Sequence, residues 1–290
     1  MSQYALNALQ RTSDLLALGH YSPSTQRNYL QELRFLFSYY PDIRPSKLTE
    51  ELCLEYLFYL TKTLKCSRVK ARMAAQSIAC FFKQVLHQPY KIPSVLYPAH
   101  ESKLPAVMSV AEVKLILDSI KNIKHKTIIS LIYSTGMRLS EAANLKIADI
   151  DSKAMRIKIV QGKGKKDRFV PLSVLLLDDL RFYFIQYKPT VYLFNSSKRG
   201  TKYSARSIQH ILEKKLIELG LQGKNYSIHT LRHSFATHLV DNVADLQVIQ
   251  ELMGHHHIAQ TLQYLHLSEK RFKDVVNPYD VLRSADNPLL

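Results

Sequence analysis

Two side chains suited to an anion stand three apart at the head of one apolar-periodic run: His229 and Arg232, in His229-Thr230-Leu231-Arg232-His233. The stretch follows the β-prone Tyr226-Ser227-Ile228, and Leu231, Phe235, Ala236, Leu239 and Val240 repeat at helical spacing, so a helix starts near His229. Positions three apart share a face, and the free amides and dipole of a first turn favour negative charge there. The chemistry implied is phosphate binding. An amphipathic helix with a structural His and a solvated Arg would carry the same five residues, and the rest of the chain has to separate the two readings.

Upstream, Ser134-Thr135-Gly136-Met137-Arg138-Leu139-Ser140-Glu141 sets an Arg just after a Gly break between two apolar helical runs. Gln161-Gly162-Lys163-Gly164-Lys165-Lys166-Asp167-Arg168 reads as a hairpin tip carrying lysines, although a solvated Gly/Lys turn has the same composition. Downstream come Glu251-Leu252-Met253-Gly254-His255 and, nine residues beyond that His, Tyr264. In this order and near these spacings, Arg138, Lys163, His229, Arg232, His255 and Tyr264 resemble the tyrosine recombinase family, which includes phage integrases and Xer recombinases. The pattern is Arg in a Gly-x-Arg-x-Ser-Glu box, Lys in a hairpin, His-x-x-Arg, then Gly-His and a Tyr nine residues on, with no departure at any of the six positions. The resemblance covers residues 105–275 by motif and the N-terminal region by size and charge.

Breaking a phosphodiester without water needs a nucleophile that can hold the phosphate, cations on its nonbridging oxygens, and an acid for the leaving alkoxide. Arg138 and Arg232 suit the second task, because a planar guanidinium binds two phosphate oxygens and stays charged. Tyr264 is one of 17 tyrosines, and only its distance from His255 selects it as the nucleophile. His229 is assigned as the base, His255 as a hydrogen-bond donor to a phosphate oxygen, and Lys163 as the acid for the 5′ oxygen. Lys165 and Lys166 on the same tip are alternatives for the acid. Glu141, three residues after Arg138, is assigned to orient a cation from behind. The resemblance implies a 3′-phosphotyrosine and a free 5′-hydroxyl, hence recombination, or topoisomerase-like relaxation when the original strand attacks. No cofactor is called for, neither metal nor ATP, and no Gly-x-x-x-x-Gly-Lys-Ser/Thr loop is present.

These residues need a scaffold, and the hydrophobic periodicity supplies one that is mainly α with a small β-hairpin or sheet. Helical spacing covers residues 4–17, 23–40, 49–64 and 67–86, which predicts an N-terminal helical domain at 1–90; by the resemblance it is a core-DNA-binding domain. Ala74 and Ala75 read as close-packing positions. Residues 91–105 hold three prolines and no helical period, the marks of a linker. The C-terminal mixed α/β tyrosine-recombinase catalytic domain is expected at 106–290. It opens on the capping box Ser109-Val110-Ala111-Glu112, followed by helices at 110–120 and 125–135. Met155, Ile157 and Ile159 alternate with Arg156, Lys158 and Val160 and are answered by Arg168-Phe169-Val170-Pro171, a hairpin. Helices follow at 173–187 and 204–219 with Val191-Tyr192-Leu193-Phe194 as a short strand between them. By the resemblance, the two domains would close on opposite faces of DNA as a C-shaped clamp.

The net charge of +16 over 290 residues points to a polyanionic partner. Residues 1–100 hold 12 Lys or Arg against 6 Asp or Glu, so both parts of the chain are basic. Lys62, Lys65, Arg68, Lys70 and Arg72 run without an acid between them, as do Lys198, Arg199, Lys202 and Arg206. Of these, Lys62, Lys65, Arg68, Arg72, Lys202 and Arg206 are the DNA-binding candidates, and Arg206, His210 and Lys214 form a basic stripe suited to a groove. Together with the resemblance, which implies an inverted-repeat core site, this makes double-stranded DNA the expected partner. No segment pairs basic residues with a lipid-seeking face, no apolar run reaches a membrane span, and no signal peptide is evident. Three cysteines without Cys-x-x-Cys spacing indicate a reducing compartment, the cytoplasm.

Two other function classes fit parts of the chain. A zinc hydrolase could use His229, His233 and His238, or His255-His256-His257, but the first set lacks His-Glu-x-x-His and the second has adjacent residues pointing apart. A noncatalytic DNA-binding regulator fits the charge and leaves all six matched positions without a reason. After Tyr264, Phe272, Val275 and Val276 have the three-to-four spacing of an apolar helix stripe; the resemblance implies a tail that docks on a neighbouring protomer in a homotetramer, and folding back on its own domain is the alternative. A chain of 290 residues leaves little room for an extra arm-binding domain, so an Xer-sized enzyme is expected.

Overall fold

The computed structural model describes residues 1–91, 105–160, 167–196, 200–242 and 245–267. The chain divides into two compact units, Met1–Ser102 and Lys103–Leu290. The expected linker and the hairpin tip lie almost wholly outside the described residues, and the tail beyond Leu267 lies outside them altogether.

In the first unit, each of four helices begins on a hydroxyl that accepts from its own first turn. Ser2 caps α1 (Gln3–Leu18), Ser22 caps α2 (Pro23–Tyr39), Thr49 caps α3 (Glu50–Phe58) and Ser67 caps α4 (Arg68–Phe81). Each such cap contributes about 1 kcal/mol. Helices α3 and α4 each run on into a π-turn, Tyr59–Thr63 and Phe82–Leu86. Leu33, Leu36 and Phe37 of α2 meet Ala74, Ala75, Ile78 and Phe81 of α4 in the core, with the Phe37 and Phe81 rings edge-on at 5.3 Å. Ala74 and Ala75 are fully buried, so they pack helix against helix and do not face a ligand.

The second unit is built around α6 (Ile123–Thr135), whose Ile128, Ile129, Leu131 and Ile132 are all buried. A helix apolar on this many sides must be wrapped by others. Its neighbours are α5 (Val110–Ser119), α7 (Leu139–Asn144), α8 (Val174–Tyr187), α9 (Ala205–Glu218) and α10 (Ile228–Asp241). The expected capping box on α5 is formed by Ser109 and Glu112. Strands β1 (Ile150–Asp151), β2 (Arg156–Ile159) and β3 (Arg168–Pro171) make an antiparallel sheet in that order, with Ile159 opposite Arg168. Ile157, Ile159 and Val170 point inward, while Arg156 stacks on Phe169 on the outer face, 4.4 Å from the ring centre.

One expected element is not formed as a strand. Of Val191-Tyr192-Leu193-Phe194, only Tyr192 pairs, through a single bridge to Lys146. The opposing chain turns at once into a 3-10 turn, Ile147–Asp149, so the ladder cannot lengthen.

Helices α11 (Leu246–Met253) and α12 (Ala259–Leu262) follow α10, and a 3-10 turn, Gln263–His266, carries Tyr264. A small apolar cluster of Ala236, Ile249, Met253 and Tyr264 joins these pieces to α10.

Candidate active site

The site is assembled where two glycine-ended helices meet. Helix α6 ends on Gly136 in the left-handed region, φ +60, and a Cβ there would lie 2.3 Å from the Phe235 ring, so only Gly fits. The chain is thereby turned to present Arg138 at the N-cap of α7. Gly254, φ +59, ends α11 in the same way and releases the chain toward His255. A Cβ on Gly254 would press at 3.1 Å on the Arg168 side chain.

Three arginines take the last carbonyls of this α11 end in succession. Arg168 Nε donates to the Leu252 carbonyl at 2.9 Å, Arg232 Nη2 to the Met253 carbonyl, and Arg138 Nη2 to the Gly254 carbonyl at 3.1 Å. These carbonyls are the negative end of the helix and lack helical partners, so guanidiniums are well matched to them. Arg232 Nη1 also donates to the Gly136 carbonyl, which ties the two glycine turns together. Arg232 is buried, and burial, then the neighbouring Arg138 charge, lowers its pKa to about 10, which still leaves it charged at neutral pH.

Among the described residues, Glu141 is the carboxylate that the Arg138 and Arg168 guanidiniums share. It accepts from the Arg138 backbone N–H at 2.7 Å and from Arg138 Nη1 at 2.9 Å, and it takes both terminal nitrogens of Arg168, at 2.9 and 2.8 Å. Burial works to raise its pKa, but the hydrogen bonds and charge of Arg168, then those of Arg138, outweigh it and hold the carboxyl at about 2. Three guanidinium charges against this single carboxylate leave two positive charges uncompensated, which suits a phosphodiester that gains negative charge as it is attacked.

His255 stands beside Arg232, with Nε2 3.4 Å from Arg232 Nη2 and Nδ1 2.9 Å from the Thr261 hydroxyl. Since a guanidinium only donates, Nε2 accepts in this arrangement and Nδ1–H faces Thr261. His255 also stacks on the Tyr264 ring, centroids 6.0 Å apart. Burial, then the charges of Arg232 and Arg138, depresses its pKa to about 4, so it is neutral at pH 7.

Tyr264 is buried at 1% exposure, and its hydroxyl lies 3.1 Å from His233 Nδ1. Burial raises the Tyr264 pKa above its usual value, and the Arg232 charge opposes this in part. His233 is depressed to about 4 by burial, then by Arg232 and His229. His229 is solvent-exposed on the first turn of α10, one turn before the His that bonds to Tyr264.

The structure therefore brings together Arg138, Arg232, His255, Tyr264 and Glu141. His229 is on the adjoining helical turn, and Lys163, Lys165 and Lys166 lie outside the described residues. Two participants were not singled out from sequence for this site. His233 was signalled only by adjacency to Arg232, whereas Arg168, 27 residues from Glu141, had no local signal. Among the described residues, no three His, Cys, Asp or Glu side chains are grouped to hold a metal, and His238 of the imagined zinc set turns its Nδ1 to the Tyr133 hydroxyl at 2.9 Å.

The six DNA-binding candidates are all exposed. Lys202 Nζ donates to Asn144 at 2.7 Å, next to α7. On α9, Arg206 and His210 both face Glu213, at 3.1 and 3.8 Å, and Lys214 lies 3.9 Å from Glu218; all three basic side chains are exposed. Lys70, in the N-terminal basic run, is likewise paired to the nearly buried Glu32 at 2.5 Å.

Two family models match this chain: the phage integrase family over residues 106–271, and the phage integrase N-terminal SAM-like domain over residues 8–92. The chain belongs to the phage integrase family. It is thus a tyrosine recombinase, an enzyme that breaks and rejoins DNA strands. A putative integrase/recombinase of Sinorhizobium fredii is 33% identical over 281 residues, covering 96% of this chain and 91% of the relative. Tyrosine recombinase XerC of Syntrophus aciditrophicus is 35% identical over 285 residues, covering 88% and 90%. The fold is shared with a solved structure of the XerH site-specific recombinase bound to a palindromic difH substrate, TM-score 0.69 and 24% identity, covering 88% of this chain and 80% of that one. Among the described residues of this tyrosine recombinase, no helix is long and apolar enough to cross a membrane.

Proposed function

We propose that this recombinase cuts each DNA strand by attack of the Tyr264 hydroxyl on a phosphodiester, forming a 3′-phosphotyrosine and releasing a 5′-hydroxyl, with no metal or nucleotide. The observation that carries this reading is the convergence of Arg138 and Arg232 on the α11 end, beside His255 and Tyr264. The two guanidiniums neutralise the nonbridging oxygens, which is the task a metal ion performs in other phosphoryl-transfer sites. His255, once a phosphate replaces Arg232 as partner of Nε2, donates to an oxygen from the opposite tautomer, with Thr261 donating to Nδ1.

His233 and His229 divide two tasks. A base of pKa about 4 is poorly matched to a phenol raised above 10, so His233 holds Tyr264 in place at rest and does not deprotonate it. His229, exposed on the first turn of α10, meets the incoming phosphate and takes the Tyr264 proton. Lys163 protonates the leaving 5′ oxygen. Because Tyr264 is enclosed, the 3-10 turn Gln263–His266 must shift before attack.

The phosphotyrosine conserves the energy of the broken bond, so a 5′-hydroxyl from a second duplex can reverse the reaction and complete an exchange. Two cuts on each of two duplexes require four protomers, and an inverted-repeat core site bound by the chain's basic surfaces would seat them. The test is direct: select a binding site from a pool of random duplexes with the full chain, then mix two linear duplexes of different length that carry it. Strand-exchanged products support the reading; tight binding with neither exchange nor covalent adduct favours the noncatalytic regulator.

A further inference from the structure

Arg168 is placed to act on the reaction without touching DNA. Its side chain is 9% exposed, against 21% for Arg138, and each of its three nitrogens is engaged: Nε on the Leu252 carbonyl, Nη1 and Nη2 on the two oxygens of Glu141. A bidentate guanidinium–carboxylate pair is the strongest arrangement open to these groups. Glu141 therefore spends most of its charge on Arg168 and holds Arg138 through one Nη1 contact and the N-cap amide.

The consequence is electrostatic. Were Arg168 absent, Arg138 would be the one cation among the described residues still hydrogen-bonded to the buried Glu141, and a carboxylate left with one such partner binds that partner harder. Arg138 would then be paired and neutralised at the position where it has to receive phosphate charge.

We infer that Arg168 is a positioning residue for DNA cleavage: as the principal counter-ion of Glu141, it keeps Arg138 electrostatically available to the scissile phosphate. The inference rests on the proposed phosphotyrosine reading of the site.

The experiment measures single-turnover release of the 5′-hydroxyl strand from a nicked duplex carrying the selected site, with either an ordinary phosphodiester or a methylphosphonate at the scissile position. The methylphosphonate lacks the charge that Arg138 is there to neutralise. Arg168→Met should slow cleavage of the phosphodiester by about 10- to 100-fold, the range for loss of a group that orients a ligand-contacting residue. On the methylphosphonate, Arg168→Met and the unaltered protein should cleave equally. Adding Glu141→Gln to Arg168→Met should restore part of the phosphodiester rate, since the carboxylate that traps Arg138 is gone. If Arg168→Met does not fold, Arg168→Lys carries the test, with a smaller phosphodiester deficit that again disappears on the methylphosphonate. Equal deficits on both substrates, an unaltered phosphodiester rate, or a double variant no faster than the single one would overturn the inference. Failure of the unaltered protein to form any adduct would instead count against the proposed function.

Discussion

The Nδ1 atom of His233 lies 3.1 Å from the Tyr264 hydroxyl, with Tyr264 buried and His233 half-buried where α10 packs against the 3-10 turn. A tyrosine held here is protonated and shielded, so the resting protein is not poised to attack. His229→Ala should lower cleavage by about 10² or more, the usual contribution of a positioned base. His233→Ala should cost far less, because only the resting contact is lost. Single-turnover cleavage of the two variants decides this, and a larger defect for His233→Ala would transfer the base role to it.

Arg138→Ala and Arg232→Ala should each reduce cleavage by about 10² or more, by analogy with loss of one donor to a developing oxyanion. A chelator should leave the rate of the unaltered protein unchanged. Activity abolished by chelator and restored by a divalent ion would show that the guanidiniums do not suffice.

Acid should destabilise the catalytic unit before it reaches the carboxylate range. His233 and His255 have folded pKa values near 4, below the ordinary 6.5, so the unfolded chain binds more protons as pH falls and stability declines from about pH 6.5 toward 4. Glu141, held at about 2, adds a second loss between its ordinary 4.5 and 2, with the same sign. The thermal midpoint should therefore fall steadily from pH 7 to pH 4.5, and the double variant His233→Gln, His255→Gln should flatten that slope. An unchanged slope would place the titrating groups elsewhere.

Much of this arrangement was legible in the amino-acid sequence, for local reasons. The Ser109 capping box marks a helix start because a cap bonds within its own turn, and the β2–β3 hairpin shows in alternation that the pleat dictates. Arg138, Arg232, His255 and Tyr264 were found through ordered spacing. What remained hidden depends on contacts between distant segments. The Arg168–Glu141 pair joins a strand to a helix, Tyr264 is buried by residues from α10 and α11, and the isolated bridge at Tyr192 is set by the brief extension of its partner at Lys146. The contacts of Arg206 and His210 with Glu213 were within reach of the sequence, since all three fall at three-to-four spacing on α9.

Lys163→Ala should be defective on an ordinary duplex and recover when the 5′ bridging oxygen is replaced by sulfur, because a thiolate leaves without a proton. Strand release from the two substrates is the measurement. An equal defect on both would remove Lys163 from the acid role and direct the same test to Lys165.

Cleavage should leave the DNA strand covalently joined to Tyr264. The full chain, incubated with a nicked duplex whose short 3′ fragment diffuses away after cleavage, should accumulate a covalent adduct. Protease digestion and mass spectrometry should then find the nucleotide on the peptide containing Tyr264. Tyr264→Phe should form no adduct while binding the duplex with nearly unaltered affinity, since it removes an oxygen and no charge. A nucleotide mapped to any other residue, or an undiminished adduct with Tyr264→Phe, would contradict the account.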